Sequence, residues 1–348
     1  MNIKILSTGG TIGSKFNINS SSVDVADGSD NLCKLLCDYY YKQRPEPEVI
    51  FNTESVLNIL SENISLENWR QLYEAVIEAQ SDMCGGIIIT HGTDTLAYTS
   101  AFLSFMLNRP NVPIALVSSN APLDNKKATG YKNFTGAVDF IIKERKKCVF
   151  VPTYTNGKTY INLGSRLTQA QPVTHNFKSL GGVYYGIMRE DGFHRNNHKY
   201  NPDFEEPAIN FMPEKINWQN KNIVYIKPFP GLNYNIFNFR ENEKPAAILH
   251  ELYHSGTACA VADMPGHSII DFAKKYIADG IDFYAAPFDL RYNKYATAGE
   301  MQKAGVKFIY NMSVEAAYVK LHIAYGLFKN KKDTANFIEK NIAYEKLF

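Results

Sequence analysis

The chain has 348 residues, 45% of them hydrophobic and 21% charged, with a formal net charge of +2. This composition excludes a disordered or fibrous protein, and the length favours two domains over one core. The near-neutral balance supplies no concentrated basic face for a nucleic-acid partner.

"NIKILS" (2–7) is a short apolar run that reads as a strand, with no charged or cleavable leader pattern before it. No apolar run in the chain approaches the roughly 18 residues of a membrane span, so the expectation is a cytoplasmic protein without a membrane partner. The strand breaks into "TGGTIG" and then into a small-polar stretch, "SKFNINSSSVDVADG" (14–28), whose composition fits a mobile lid. Five cysteines, Cys33, Cys37, Cys84, Cys148 and Cys259, are few and odd in number, which argues against a disulfide framework. Cys33 and Cys37 have the spacing of neighbours on a helix face, but no Cys/His cluster joins them as a metal site.

"LENWRQLYEAVIEAQ" follows Ser65, the expected N-cap of a helix. "GGIIIT" (85–90), "PIALVS" (113–118) and "CVFVP" (148–152) read as strands, and "TSAFLSFML" (99–107) and "NFTGAVDFIIKERKK" (133–147) as helices between them. The basic run Lys143 to Lys147 then complements the negative end of a helix dipole. Strands alternating with helices predict an α/β fold with a largely parallel sheet. Periodicity fades from Met188 to Asn220 and resumes with "NIVYIKPF" (222–229), "AAILH" (246–250), "SIIDFAKKYIA" (268–278), "GIDFYAAP" (280–287) and a helix pair from Ser313. The predicted organisation is a larger N-terminal α/β domain over 1–190, a linker or excursion over 191–220, and a smaller α/β domain over 221–348.

In a parallel sheet, ligand chemistry gathers where strand ends meet loops and helix N-termini. The turn after the first strand spaces its glycines G-G-x-x-G, which matches neither the dinucleotide fingerprint nor a phosphate-binding loop with its lysine. A second strand end, "GIIITHGTDT" (86–95), again sets a glycine among hydroxyls and an acid. Alone, Thr93 or Asp94 reads as a cap of the following helix. Paired with the first turn, the two strand ends form one small polar pocket.

These two segments, "ILSTGGTIG" (5–13) and "GIIITHGTDT" (86–95), resemble both signatures of the bacterial-type L-asparaginase/glutaminase family of amidohydrolases. "VSSNAPLDNKKATGYKNFTGAV" (117–138) and "YNMSVEAAYVKL" (310–321) are similar to later segments of that family, so the resemblance spans nearly the whole chain. It implies that Thr11 is the nucleophile attacking a side-chain amide, that Thr93 and Asp94 form the second catalytic element, and that Asp94 meets the α-ammonium of an amino-acid amide. Backbone N–H groups at the Gly10 and Gly92 turns would hold the developing oxyanion. Ser61 in "LSENIS" (60–65) would meet the α-carboxylate, with Glu62 where the family often has glutamine. No metal or organic cofactor is implied. A homodimer or homotetramer is, with sites completed across subunits and Glu300 as the acidic residue contributed by the neighbour.

The sequence departs from the family pattern twice. An ungapped match of "LGSRLTQAQP" (163–172) puts Gln169 on the lysine that activates the second threonine, leaving Lys158 as the substitute from elsewhere. The lid carries Phe16 and serines but no tyrosine, so Tyr292 or Tyr295 would have to supply that hydroxyl. Two alternatives to a simple asparaginase follow: a binding or sensing protein that keeps the pocket, and an amidase for a larger substrate. "HELYH" (250–254) matches a zinc motif in letters, but His250 closes a predicted strand, where the i,i+4 geometry of a helical zinc site is lost.

Overall fold

The apolar run at the N-terminus forms β1, Asn2–Gly9, whose side chains from Ile5 onward are buried on both faces as in a central parallel strand. In this computed structural model the described residues are 1–17, 22–25, 29–44, 49–125, 127–204, 213, 216–217, 222–291 and 295–347, with the backbone alone described within 14–31. After β1 come a hairpin of β2, Ser14–Asn17, and β3, Ser22–Val25, then α1, Ser29–Gln43, and β4, Ile50–Ile59. They are followed by α2, Leu66–Ser81, β5, Gly86–Thr90, α3, Leu96–Leu107, β6, Ile114–Val117, and α4, Gly130–Glu144. Next come β7, Val149–Thr155, β8, Lys158–Leu163, the short pair β9, Leu167–Thr168, and β10, Lys178–Ser179, and β11, Gly186–Arg189. Then β12, Gly192–Arg195, pairs antiparallel with β11, so sheet structure continues into the stretch where sequence periodicity fades.

Two compact units emerge, Met1–Asn210 with Ile342–Tyr344, and Phe211–Asn341 with Glu345–Phe348. The first unit carries an eight-stranded sheet in the order β12-β11-β8-β7-β6-β5-β1-β4. Its β4-β1-β5-β6-β7 half is parallel and the rest antiparallel. The architecture is therefore α/β, as the alternation of elements predicts. On one face Cys33, Leu36, Phe134 and Ile141 from α1 and α4 pack onto Ile3, Ile5, Ile88 and Val117. Burial there pushes the Cys37 thiol up to about 12, so this cysteine is an inert packing residue. α2 and α3 meet through Trp69 stacked on Phe102 at 5.0 Å, with the indole N–H donating to the Thr99 hydroxyl at 3.0 Å.

Ser65 caps α2 as expected, its hydroxyl accepting from the Asn68 N–H in a reciprocal capping box. Ser65→Ala should lower the urea stability by about 1 kcal/mol, because one orphan N–H of the first turn loses its partner. α4 ends at Glu144 with Arg145 in the left-handed region at φ 49, so Lys143 alone of the basic run lies in its last turn.

The second unit is a parallel sheet, β13-β14-β15-β16, made of Ile223–Ile226, Ala247–Glu251, Asp282–Phe288 and Lys307–Tyr310. It is accompanied by α5, Ile269–Ala278, α6, Ala296–Lys303, α7, Val314–Leu327, and α8, Lys331–Glu339. Ser268 and Ser313 cap α5 and α7 through their hydroxyls. Lys320 on α7 pairs with Glu345 at 2.5 Å with both side chains fully buried, and its ammonium also donates to the Lys340 carbonyl. Removing one member of such a pair strands the other charge in the interior. Lys320→Met should therefore cost about 3–5 kcal/mol of unfolding free energy, and adding Glu345→Leu should recover most of it in the same denaturation assay. Among the described residues no helix is long and apolar enough to cross a membrane.

Candidate active site

The turn after β1 can be built only from glycine. Gly9 and Gly10 have φ values of 89 and 73, a region in which a side chain is strained. Space forbids one as well: a Cβ on Gly10 would lie 2.3 Å from the Gly92 nitrogen, and one on Gly9 would lie 2.6 Å from the Ile59 carbonyl oxygen. The two strand ends singled out in the sequence thus touch backbone to backbone, and Thr11 and Thr93 each stand one residue beyond that contact. The Thr8 hydroxyl ties β1 to β5 by donating to the Thr90 carbonyl at 2.7 Å. Gly10 N–H donates to the Ile59 carbonyl at 2.8 Å, and Gly13 N–H closes a short helical turn on the Gly10 carbonyl at 2.9 Å. The Gly10 N–H is thus committed within the fold. Thr11 opens that helical turn, half-buried.

The loop after β5 is held from below by His91. Its N–H donates to the Val117 carbonyl at 2.9 Å, and its ring Nδ1 lies 2.8 Å from the Gly92 carbonyl. Burial holds this imidazole neutral, with its pKa lowered to about 4, so Nδ1 is the protonated nitrogen that donates to Gly92. The third strand end contributes Ser61, which is buried: its hydroxyl accepts from the Asp94 N–H at 3.2 Å and its carbonyl from the Thr95 hydroxyl at 2.8 Å. Thr95, not Thr93 or Asp94, is the N-cap position of α3, and it makes no side-chain cap bond. Thr93 is half-buried, whereas the Asp94 and Glu62 carboxylates are exposed. Gly10, Ser61, Gly92 and Asp94 accordingly form one cluster at the carboxyl ends of β1, β4 and β5, where a parallel sheet opens to ligands.

Thr93 also lines a polar cleft with Ser118, Asn133, Tyr154, His175 and Asn176. The Asn133 amide spans its floor, donating to the Ser118 carbonyl at 2.8 Å and accepting from the Tyr154 N–H at 2.6 Å. Gln169 and Lys158, the residues read from the sequence at and near the lysine position, are both exposed, and neither is among those lining this cleft. Arg166, three residues before Gln169, is buried, with its guanidinium donating to the Tyr344 carbonyl and, at 3.4 Å, to the Asn201 side chain. His175 carried no signal in the sequence, because the turn that brings it to the cleft lined by Thr93 is visible only in the fold.

Phe16 lies on β2, where only the backbone is described, and the remainder of the predicted lid, 18–21 and 26–28, lies outside the described residues, as does Tyr292. Tyr295 is exposed at the N-cap of α6, and Glu300 is exposed on the same helix. In "HELYH", His250 sits on β14, with Nε2 2.8 Å from the Tyr234 hydroxyl and Nδ1 2.5 Å from the Glu251 carbonyl. Among the described residues no group of three His, Cys, Asp or Glu side chains is placed to hold a metal ion.

A family model described as "Asparaginase, N-terminal" matches residues 2–198. The chain is 27% identical to an L-asparaginase of Thermococcus kodakarensis, covering 99% of both proteins. It is 26% identical to a glutamyl-tRNA(Gln) amidotransferase subunit of Pyrococcus abyssi, over 99% of this chain and 76% of that one. Among solved structures, a thermostable L-asparaginase from Thermococcus kodakarensis superposes with a TM-score of 0.80 at 26% identity, covering 99% of each chain.

Proposed function

The chain belongs to the asparaginase family of amidohydrolases, and from that premise we propose that it hydrolyses the side-chain amide of asparagine or a related amino-acid amide to the acid and ammonia. The observation that carries this reading is the Gly10–Gly92 contact, which puts Thr11 and Thr93 on either side of one backbone junction. Thr11 is the nucleophile and forms an acyl-enzyme that water then hydrolyses. Asp94 and Ser61, joined through the Asp94 N–H, receive the α-ammonium and α-carboxylate, with Glu62 beside the ammonium. Backbone N–H groups of the two glycine turns polarise the amide carbonyl. By family resemblance the working species is a homodimer or homotetramer with Glu300 reaching a neighbouring site. Light scattering with wild type and Glu300→Ala would check this.

A second reading, an amidase for a larger substrate, is favoured by the relatives named as glutamyl-tRNA(Gln) amidotransferase subunits. Ammonia release from free asparagine and glutamine separates the two. Saturable release from either amino acid supports the first reading; none from either, with release from an amidated peptide or aminoacyl-tRNA, supports the second.

A further inference from the structure

The cleft beside Thr93 has hydroxyls and amides along most of its wall, and these neither take up nor give up a proton near neutrality. Among its lining side chains, His175 supplies an imidazole, the group most often used to carry a proton in catalysis. His175 sits on a tight excursion between β9 and β10. Gln171 N–H donates to the Asn176 carbonyl and His175 N–H to the Gln171 carbonyl, each at 2.9 Å, which closes the base of the loop. Asn176 is anchored in turn by the Thr155 hydroxyl at 3.2 Å. The excursion holds Val173 at φ 70 and His175 at φ 55, and for a β-branched valine that backbone is a true outlier, the kind of local cost that persists where surrounding structure fixes a site. Gln169, only six positions earlier, does not line the cleft, whereas His175, itself exposed, does, so the loop that lacks a lysine brings an imidazole to the cleft that Thr93 lines.

We propose that His175 is the proton acceptor serving Thr93 in amide hydrolysis, an inference that rests on the function proposed above. As the Thr11 oxygen bonds to the amide carbon, its proton passes to the Thr93 hydroxyl, and the Thr93 proton passes to the neutral His175 ring, directly or through one water. The imidazolium returns that proton to the departing nitrogen, which leaves as ammonia when the C–N bond breaks. In deacylation a water proton follows the same path and returns to the Thr11 oxygen. Histidine is the side chain most often positioned for such a proton transfer.

The test is the pH profile of kcat/KM from pH 5 to 9 for wild type and His175→Gln. The wild-type rate should fall on the acid side, where the acceptor already holds a proton. His175→Gln should lower kcat by about 10²-fold with KM little changed and abolish that acid limb, and added imidazole should restore part of the rate of His175→Ala. A variant that keeps the wild-type rate and acid limb overturns the assignment. If the wild type releases no ammonia from any amide, the function proposed above fails, and His175 is then judged by its ring NMR signal on adding L-aspartate. A shifted signal retains His175 in the ligand site, and an unmoved one overturns it.

Discussion

Replacing Thr11 by alanine should reduce ammonia release from the best amide substrate by at least about 10³-fold while leaving the fold and ligand binding intact. The substitution removes one hydroxyl and one methyl from a half-buried side chain at the mouth of a turn, and the bonds that shape this turn are made by backbone groups of Gly10 and Gly13 and by the Thr8 hydroxyl. Urea midpoints should therefore stay close to wild type, and aspartate should still raise the melting temperature, because its proposed anchors, Ser61 and Asp94, are untouched. Chemistry and binding separate in this variant: without an attacking oxygen no acyl-enzyme forms, however well the amide is held. Thr11→Ser, which keeps an oxygen on the same backbone, should retain measurable turnover. Wild-type rates in Thr11→Ala would instead move the nucleophile to Thr93, whose own alanine variant would then be the inactive one.

The parts of this molecule that were legible in the sequence are those written in local pattern. β1, β5 and β6 are apolar runs bounded by turn residues, and Ser65, Ser268 and Ser313 announce the helices they cap. The glycine turn was legible because φ values of 89 and 73 leave no other residue type for the chain to use. β4 was not: "IFNTESVLNI" is an edge strand, half exposed, with neither an apolar run nor strict alternation, and its pairing with β1 alone defines it. Ser61 could therefore be assigned only by family resemblance, although it sits at the end of that strand. His175 was illegible for another reason. Its place in the cleft lined by Thr93 depends on a short loop folding back on itself with two residues at positive φ, a conformation that Val173 does not advertise. The ungapped family match points to Gln169, whereas the cleft is assembled from segments far apart in sequence.

Acid should destabilise both units steeply between about pH 6.5 and pH 4. His91 in the first unit and His250 in the second are almost wholly removed from water, and burial lowers each pKa to about 4; His322 in the second unit is lowered to about 4 as well. In the unfolded chain these rings protonate near pH 6.5, so below that pH the unfolded state binds protons that the folded state refuses. The stabilising contribution is complete above pH 6.5, drains away as the pH falls toward 4, and levels off below it. Each fully buried ring accounts for about 3 kcal/mol over that window, and the half-buried His322 for less. Buried Asp282 is held below its ordinary value by Lys307 and Tyr325 despite the opposing effect of burial, so its own loss falls at still lower pH and does not blur the histidine window. His91 and His250 cannot be relieved by movement of the ring, since Nδ1 of each is held by a backbone carbonyl, of Gly92 and Glu251 respectively. His322 offers the cleanest control, because its buried Nε2 has no hydrogen-bond partner among the described residues and its ring packs 4.6 Å from that of Tyr318. His322→Phe should keep that packing, remove one titrating group and flatten the slope of stability against pH in the second unit. Urea unfolding of wild type and this variant at half-unit steps from pH 7.5 to 4 measures both slopes, and a wild-type stability that stays level across the window would contradict neutral burial of these rings.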